Sequence, residues 1–306
     1  MIPEPPRHLL TWPEHGLDMG FRLIPPGTFS MGSRGYRASE EPVHRVRIAE
    51  AFWLAETPVT QAQFALWIRA EGIKHENHFT DHPDHLAHPA ENMDWWQAVA
   101  YCAWLTRAKA AELPEGFSLV CLPTEAEWEY ACRAGADTEY HSGDGEAALA
   151  EVGWYGATSC SSTHPVRRKD PNDFRLFDMH GNVWEWCHDA WNESAYRRRV
   201  DDTADPGRTL RLAEKQGGLA RMTESNRIRV LRGGAWYGSP FFCRSASRSR
   251  FEPSVRSGLC GFRVGLVRGL ATWRGAQQSE GAGGADVELP DLATAKLPRA
   301  ARNTFD

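Results

Sequence analysis

The pattern of apolar positions predicts three helices, and the first of them begins at Thr60. The Thr60 side chain can accept a hydrogen bond from the third helical amide while Gln63 reaches back to the cap, which makes a capping box. Gly72 supplies the residue that ends the helix. The apolar face consists of Phe64, Trp67 and Ile68.

The other two predicted helices carry the same start signals. Asp94 is placed to cap the longer one, and Thr124 with Glu127 forms a second capping box for the shorter one. Gly135 lies where a C′ glycine is expected. The apolar face of the longer helix consists of Trp95, Ala98, Val99, Cys102 and Leu105. We therefore expect this helix to lie in the core.

Short apolar runs predict strands near both ends of the chain. They are FRLIPPGTFSMGS and HRVRIAEAFWLAETPVT near the start, and RVLRGGAW and GFRVGLV near the end. A small antiparallel sheet at each end is the expected arrangement. Between residues 135 and 230, Gly, Asp, Asn, Ser, Thr and Arg dominate, which predicts long ordered loops. We expect an N-terminal extension over 1–19, one domain over 20–268 and a C-terminal tail over 269–306.

Composition limits the classes of function. With 42% hydrophobic and 25% charged residues among 306, the chain is typical of a soluble globular protein. A net charge of −5 argues against a nucleic-acid partner. The sequence has neither an apolar run of about 20 residues nor a secretory signal pattern, so we expect a cytoplasmic protein without membrane insertion. The seven cysteines form no CxxC pair, which favours free thiols over disulfides or zinc.

Several motifs occur in an order that resembles the formylglycine-generating-enzyme (sulfatase-modifying factor) family. They are IPPGTFSMGS, EPVHRV, AETPVTQAQF, WWQAVAYCAWL, LPTEAEWEYACRAG, FDMHGNVWEWCHD, RVLRGGAW and GFRVGL. The resemblance covers about residues 20–268 and implies an α+β, C-type-lectin-like fold, rich in loops, with small antiparallel sheets and two to three helices. Function is not implied, because the family includes copper oxidases, iron-dependent sulfoxide synthases and proteins that only bind.

The copper site of the family is incomplete in this sequence. The enzymes that make formylglycine hold Cu(I) with two cysteine thiolates, five residues apart, in the segment after GGS or GGA. The second position matches Cys243, but the first falls on Gly238, and Cys260 lies too far along to replace it. A linear two-sulfur site is therefore not expected, and the missing thiolate at Gly238 favours a protein that is not an enzyme.

Histidines suggest a second metal chemistry, that of the iron-dependent relatives. In those proteins the metal histidines come from a separate helical domain that this sequence lacks. Three histidines here have ligand-like spacing, namely His82, His85 and His88. Pro83 and Pro89 break any helix through them, so the interpretation is a polar surface loop.

The same segment resembles the variable proteins of diversity-generating retroelements. Their variable region, here 231–263, keeps a frame like RVLRGGxW, RSAxRxR and GFR, and the residues between are diversified at template adenines. The corresponding positions here all fall within the set that this diversification allows. They are Tyr237, Gly238, Ser239, Phe241, Phe242, Ser247, Ser249, Phe251, Val255, Ser257, Gly258 and Leu259. Tyr, Phe, Ser and Gly in loops are typical of adaptable binding surfaces. The alternative is that the aromatic residues belong to the core of a degenerate enzyme.

Charged residues in two motifs favour structural roles. The interleaved arginines are interpreted as partners of acids and carbonyls inside the fold; they are Arg244, Arg248, Arg250, Arg256 and Arg263. The family resemblance implies a structural calcium site from Asp178, Glu185 and the carbonyls of Gly181 and Val183. In the alternative, Asn182 and Glu185 only hydrogen-bond the loop backbone.

These observations lead to one hypothesis and two alternatives. The first is a ligand-binding protein without catalysis, which presents 237–260 to a protein or other macromolecule and needs no cofactor apart from a structural Ca²⁺. The second is a copper or other metal-dependent oxidase of a thiol, with Cys243 as its thiolate. The third is a scaffold or regulatory module.

Overall fold

The computed structural model describes residues 4–198, 203–204 and 227–268. The helices are α1 (Gln61–Glu71), α2 (Trp95–Ala108), α3 (Glu125–Arg133) and α4 (Gly145–Val152). The strands are β1 (Arg7–Trp12), β2 (Leu17–Ile24), β3 (Gly27–Met31), β4 (His44–Ile48), β5 (Phe52–Ala55), β6 (Leu119–Cys121), β7 (Gly153–Trp154), β8 (His180–Gly181), β9 (Trp184–Ala190), β10 (Thr203–Ala204), β11 (Arg229–Arg232), β12 (Arg248–Phe251), β13 (Cys260–Gly261) and β14 (Gly265–Val267).

The three predicted helix starts are confirmed. Thr60, Asp94 and Thr124 each accept from the backbone of the third helical residue, whose side chain bonds back in a capping box. Each box satisfies amides that would otherwise lack partners. Gly72 ends α1 in the left-handed conformation, whereas α3 ends on Ala134 at φ 45°, one residue before the glycine predicted for that role.

Strands from both ends of the chain meet in one sheet, which differs from the prediction of a separate sheet at each end. The order β1-β2-β5-β14-β6 places β14 between β5 and β6, antiparallel to both. β1 pairs with β2 over Arg7–Trp12, and Leu10 and Trp12 are buried. Residues 7–12 and 17–19, predicted as part of an extension, therefore belong to the sheet, and Leu10, Trp12 and Met19 face the core.

A four-stranded sheet carries the segment of functional interest. Its order is β12-β11-β9-β13, with β13 parallel to β9 and the other pairs antiparallel. The predicted loop region 135–230 contains α4 and β9, so that prediction was wrong there. Helix α4 is too short for its sequence to show a full apolar period, and β9 is buried over its first five residues, so it does not alternate.

The core is built largely from aromatic side chains. Trp67, Trp95, Trp128 and Trp186 are almost fully buried. The cysteines are free, as predicted: Cys160 is exposed and the other six are buried. Among the described residues, helices long and apolar enough to cross a membrane are absent.

Candidate ligand-binding surface

Two consecutive glycines carry the chain from the sheet into the segment predicted to vary. β11 ends at Arg232, and Gly233 and Gly234 follow with φ of 96° and 78°. A Cβ atom on Gly234 would stand 2.6 Å from the Sγ atom of Cys243, so a larger residue would not fit. The chain then passes through 235–243 and returns to the sheet in β12.

This segment and two neighbouring loops form an aromatic patch. We define it as Tyr36, Phe79, Trp236, Tyr237, Phe241 and Phe242. The Tyr237 side chain is 72% exposed and its ring centroid lies 5.5 Å from that of Trp236. Phe79, from the loop before α2, stands edge-on to Trp236 at 5.1 Å. The indole of Trp236 donates to the carbonyl of Gly258 at 2.9 Å, which ties this half of the patch to the predicted position 258.

The other half of the patch contains the two phenylalanines. Phe241 and Phe242 lie edge-on at 5.3 Å, and Tyr36 lies 5.9 Å from Phe241. Phe242 also contacts Trp184 of β9 at 6.2 Å and packs against the buried core. Half-buried rings anchored in this way are rigid, so they can offer contact area at little entropic cost.

The structure places the predicted site residues unevenly. Ser239 is exposed, and the half-buried positions are Gly238, Ser249, Phe251, Ser257, Gly258 and Leu259. Ser247 and Val255 are buried, at 0% and 8% exposure, and their assignment as ligand-binding residues stays a prediction. Ser247 lies beside Arg248, whose buried ion pair keeps that stretch inside, and the Val255 amide closes a turn on Glu252 at 3.0 Å.

Phe251 partly supports the alternative that these aromatics belong to the core. Its ring stands 6.5 Å from that of Trp186, and it packs against the buried core together with Phe242 and Leu259. Tyr237 does not share this packing. The aromatic positions therefore divide into an exposed group and a group that also supports the fold.

Buried ion pairs hold the frame around the predicted variable positions, which confirms the structural interpretation for Arg244, Arg248 and Arg263. Arg244 donates to Glu40 at 3.0 and 3.1 Å, Arg248 to Glu125 at 2.8 Å, and Arg263 to Glu185 at 2.6 and 2.7 Å. All six side chains are nearly inaccessible to solvent. Arg256 and Arg250 lie nearer the surface, beside Asp94 and Glu193. Removing one partner of a buried pair leaves an uncompensated charge, so these pairs fix the frame.

Comparison with known proteins gives the family. The model of the sulfatase-modifying factor enzyme 1-like domain matches residues 17–268. The chain belongs to this family. It is 31% identical to the formylglycine-generating enzyme of Streptomyces coelicolor, with 78% of this chain and 87% of that protein covered. It is 29% identical to the serine/threonine-protein kinase pkn1 of Chlamydia pneumoniae, with 79% of this chain covered, but it spans only 37% of that kinase.

Solved structures confirm the C-type-lectin-like fold of this family. Treponema denticola variable protein 1 has a TM-score of 0.68 and 28% identity, with 85% of this chain and 99% of that chain covered. PvdO from Pseudomonas aeruginosa has a TM-score of 0.65 and 27% identity, with 81% and 94% covered. The scaffold of this sulfatase-modifying-factor-type domain is thus shared with a variable protein.

The family's copper position is occupied by a buried thiol. Cys243 is 0% exposed and packs with Tyr140, Leu149 and Tyr155. Burial raises the pKa of the Cys243 thiol to about 12, so it stays protonated at neutral pH. Gly238 lacks a side chain, and its carbonyl accepts from the Gly156 amide at 2.8 Å. These surroundings favour a packing role for Cys243.

The residues predicted to hold calcium do not fit that ion. Both oxygens of Glu185 are bound to Arg263, and one also accepts from the Trp128 indole at 2.7 Å. Asp178 accepts from the Arg167 amide at 2.9 Å and the Asn182 amide at 3.1 Å. A guanidinium thus lies where a cation would be needed, and the carbonyls of Gly181 and Val183 cannot complete the site alone. In the described part of the chain, groups of three or more His, Cys, Asp or Glu suited to a metal are absent.

Two of the three candidate histidines stack on one another, and the third contacts the backbone. His82 and His88 stack at 5.2 Å, and His82 hydrogen-bonds Ser162 at 3.1 Å. His88 is buried and bonds Thr163 at 2.9 Å, so the prediction of a surface loop was wrong for this residue. His85 turns back on the carbonyl of His82 at 2.8 Å. Each of these contacts has a structural role.

Three patch residues and one neighbour were missed from the sequence. Tyr36, Phe79 and Trp236 lie outside the positions predicted to vary, as does Arg37, whose guanidinium stands 5.0 and 5.1 Å from the rings of Phe241 and Phe242. The available signal was an aromatic residue between Gly35 and Arg37 in a polar loop, since such a residue has little reason to be buried.

Proposed function

We propose that the protein binds a protein ligand through the aromatic patch and the predicted variable positions beside it, and that it is not an enzyme. The proposal rests above all on Tyr237, a large side chain left 72% exposed on a segment that buried ion pairs hold in place. Exposed aromatics on a rigid frame are typical of binding hot spots.

Three further observations support a binding role. The scaffold resembles Treponema denticola variable protein 1 over 85% of this chain and 99% of that chain. Of the predicted variable positions, 237 and 239 are exposed and 241 and 242 are half-buried. Cys243, the residue that matches the second copper cysteine of the family enzymes, is buried and protonated.

The test of diversification is to sequence the DNA on both sides of the gene. We expect a near-copy of the segment encoding residues 231–263 that differs only where the copy has adenines, together with a reverse transcriptase gene. A genome that lacks any such copy would contradict diversification. A copy whose differences fall on the codons of buried residues such as Arg248 and Arg263 would contradict the assignment of the variable positions.

Oxidation of a thiol is the second candidate, favoured by Cys243 and by the similarity to the Streptomyces coelicolor enzyme. The test is a titration of the reduced protein with Cu(I) against a competing chromophoric chelator. We expect no tight binding, because one protonated buried thiol cannot supply two thiolates. Stoichiometric binding that Cys243→Ser abolishes would support the oxidase instead, and Cys260→Ser is the matched control.

A scaffold or regulatory module is the third candidate, favoured by the chlamydial kinases, of which this chain spans just over a third. The segment that such a role would use is the predicted tail 269–306, which lies outside the described residues. Deleting the tail and comparing binding partners would separate this role from binding through the patch.

A further inference from the structure

A loop outside the predicted variable region borders the aromatic patch. It connects β3 to β4 and carries Tyr36 and Arg37. The Arg37 guanidinium lies 5.0 Å from the ring centre of Phe241 and 5.1 Å from that of Phe242. Tyr36 is 44% exposed and adjoins Phe241. Two residues outside 231–263 therefore share one surface with two predicted variable positions.

The two arginines beside Phe241 differ in their electrostatic partners. Arg244 is buried and neutralised by Glu40. Arg37 is half-buried, and its side chain makes no hydrogen bond or ion pair within residues 4–198, 203–204 and 227–268. A cation over a ring face keeps its N–H groups available at the edge of the guanidinium plane. Within the described residues Arg37 is thus a cation without an ion-pair partner, close to two aromatic rings.

The loop that carries Arg37 is fixed by hydrogen bonds to neighbouring residues, so this arrangement exists before any ligand binds. The carbonyl of Arg37 accepts from the Glu40 amide at 2.9 Å, and Glu40 in turn pairs with Arg244. The Gly35 amide donates to Glu41 at 2.8 Å. The hydroxyl of Tyr36 donates to Glu139. Preorganisation of this kind lowers the entropic cost of binding.

We propose that Arg37 is a constant anchor that pairs with a carboxylate of the protein ligand, while apolar neighbours of that carboxylate pack on Phe241, Phe242 and Tyr237. The proposal rests on the proposed function and adds the chemistry of the partner, an acidic residue flanked by apolar ones. Guanidinium and carboxylate make paired, charge-assisted hydrogen bonds, which give the contact both strength and direction. Predicted variable residues would then set which apolar side chains fit, and Arg37 would set the common acidic requirement.

The test uses a displayed library of random dodecapeptides, panned on the full-length protein. We expect the enriched peptides to combine Asp or Glu with apolar residues. On Arg37→Gln the enrichment of acids should fall to the library background while that of apolar residues persists. Arg34→Gln is the matched control, because Arg34 is an exposed arginine of the same loop, and it should keep the acidic preference.

Affinity measurements on the best peptide complete the test. Arg37→Gln should weaken its binding by about tenfold or more, and should flatten the dependence of Kd on salt. Arg37→Lys, which keeps the charge and loses the planar guanidinium, should bind the peptide with an affinity between those of the wild-type protein and Arg37→Gln. If Arg37→Gln does not fold, the Arg37→Lys result and the acidic content of the wild-type peptides decide the question.

The failures of the two proposals can be told apart. Enrichment on the wild-type protein without an acidic preference would overturn the role of Arg37 and leave the binding function intact. Peptides recovered equally well on a Tyr237→Ser, Phe241→Ser double variant would overturn the aromatic patch as a binding site, and the proposed function with it.

Discussion

At the scale of single residues, exposure separates roles that residue type alone does not. Tyr237 and Phe242 are both aromatic and both fall in the predicted variable segment, yet only Phe242 packs against the core. Ser247 satisfies the diversification pattern and is inaccessible. The sequence therefore predicts which positions can vary by codon, but side-chain burial depends on where the ion pairs of Arg244 and Arg248 hold the chain.

The stability of two variants tests this division. Tyr237→Ser should change the free energy of unfolding by no more than about 0.5 kcal/mol, because the side chain is 72% exposed. Phe242→Ser should cost about 1–3 kcal/mol, since it removes contacts with the core. Urea unfolding at a single pH measures both. Equal losses in the two variants would mean that Tyr237 is buried in solution and would remove the main support for the patch.

The hydrogen-bond partners of Glu185 lead to a prediction about calcium. Because Arg263 and Trp128 occupy its oxygens, adding millimolar Ca²⁺ or excess chelator should shift the melting temperature by less than about 1 °C. A thermal melt in each buffer is the measurement, and Mg²⁺ at the same ionic strength is the control. A stabilisation of several degrees that is specific to Ca²⁺ would show that a calcium site exists.

At the scale of elements, local signals were reliable and long-range ones were not. The capping boxes at Thr60, Asp94 and Thr124 involve residues three apart, so they could be identified from the sequence. The insertion of β14 between β5 and β6 pairs residues more than 140 apart, such as Gly265 with Cys121, and nothing local records it. For the same reason Tyr36 and Phe79 could not be assigned to the patch in advance.

The loop between α1 and α2 contains a buried acid that should make it sensitive to pH. One oxygen of Glu91 accepts from the amides of His78 and Phe79, and the other has no partner within the described residues. Burial raises the pKa of Glu91 from its ordinary value of 4.5 to about 7. The protonated form is favoured in the folded state, so stability should be full below pH 4.5 and should decline as pH rises through 7.

Glu91→Gln removes this titration and keeps an oxygen for the same two amides. Relative to Glu91→Gln, the wild-type protein should lose up to about 3 kcal/mol of unfolding free energy between pH 4.5 and 8, at 1.36 kcal/mol per pKa unit. Urea unfolding of both proteins across this range is the measurement, and Glu76→Gln, an exposed acid of the same loop, is the control. Parallel profiles for wild type and Glu91→Gln would show that Glu91 titrates normally.

At the scale of the whole molecule, the two ends of the described domain support one another. β1 and β2 from the start and β14 from the end share the five-stranded sheet. Residues 235–243 lie between β11 and β12 of the four-stranded sheet, and Tyr36 lies between β3 and β4. Arg263 joins the four-stranded sheet to the five-stranded one, because it donates to the Ala55 carbonyl of β5 at 3.1 Å and to Glu185 of β9. Variation at Tyr237 is therefore separated from the contacts that maintain the fold, whereas Phe242 takes part in those contacts.

A substitution that destabilises β14 should therefore also destabilise β2 and β5. Leu266 in β14 is fully buried, and Leu266→Ala should cost about 2–5 kcal/mol. Because β14 pairs with β5, which pairs with β2, native-state hydrogen exchange should show protection falling in peptides that cover Leu17–Ile24 and Phe52–Ala55 as much as in those that cover β14. Tyr237→Ala, on the patch, should leave all three protected. Loss confined to β14 would mean that the sheet opens at its C-terminal strand alone, and that the two ends are independent.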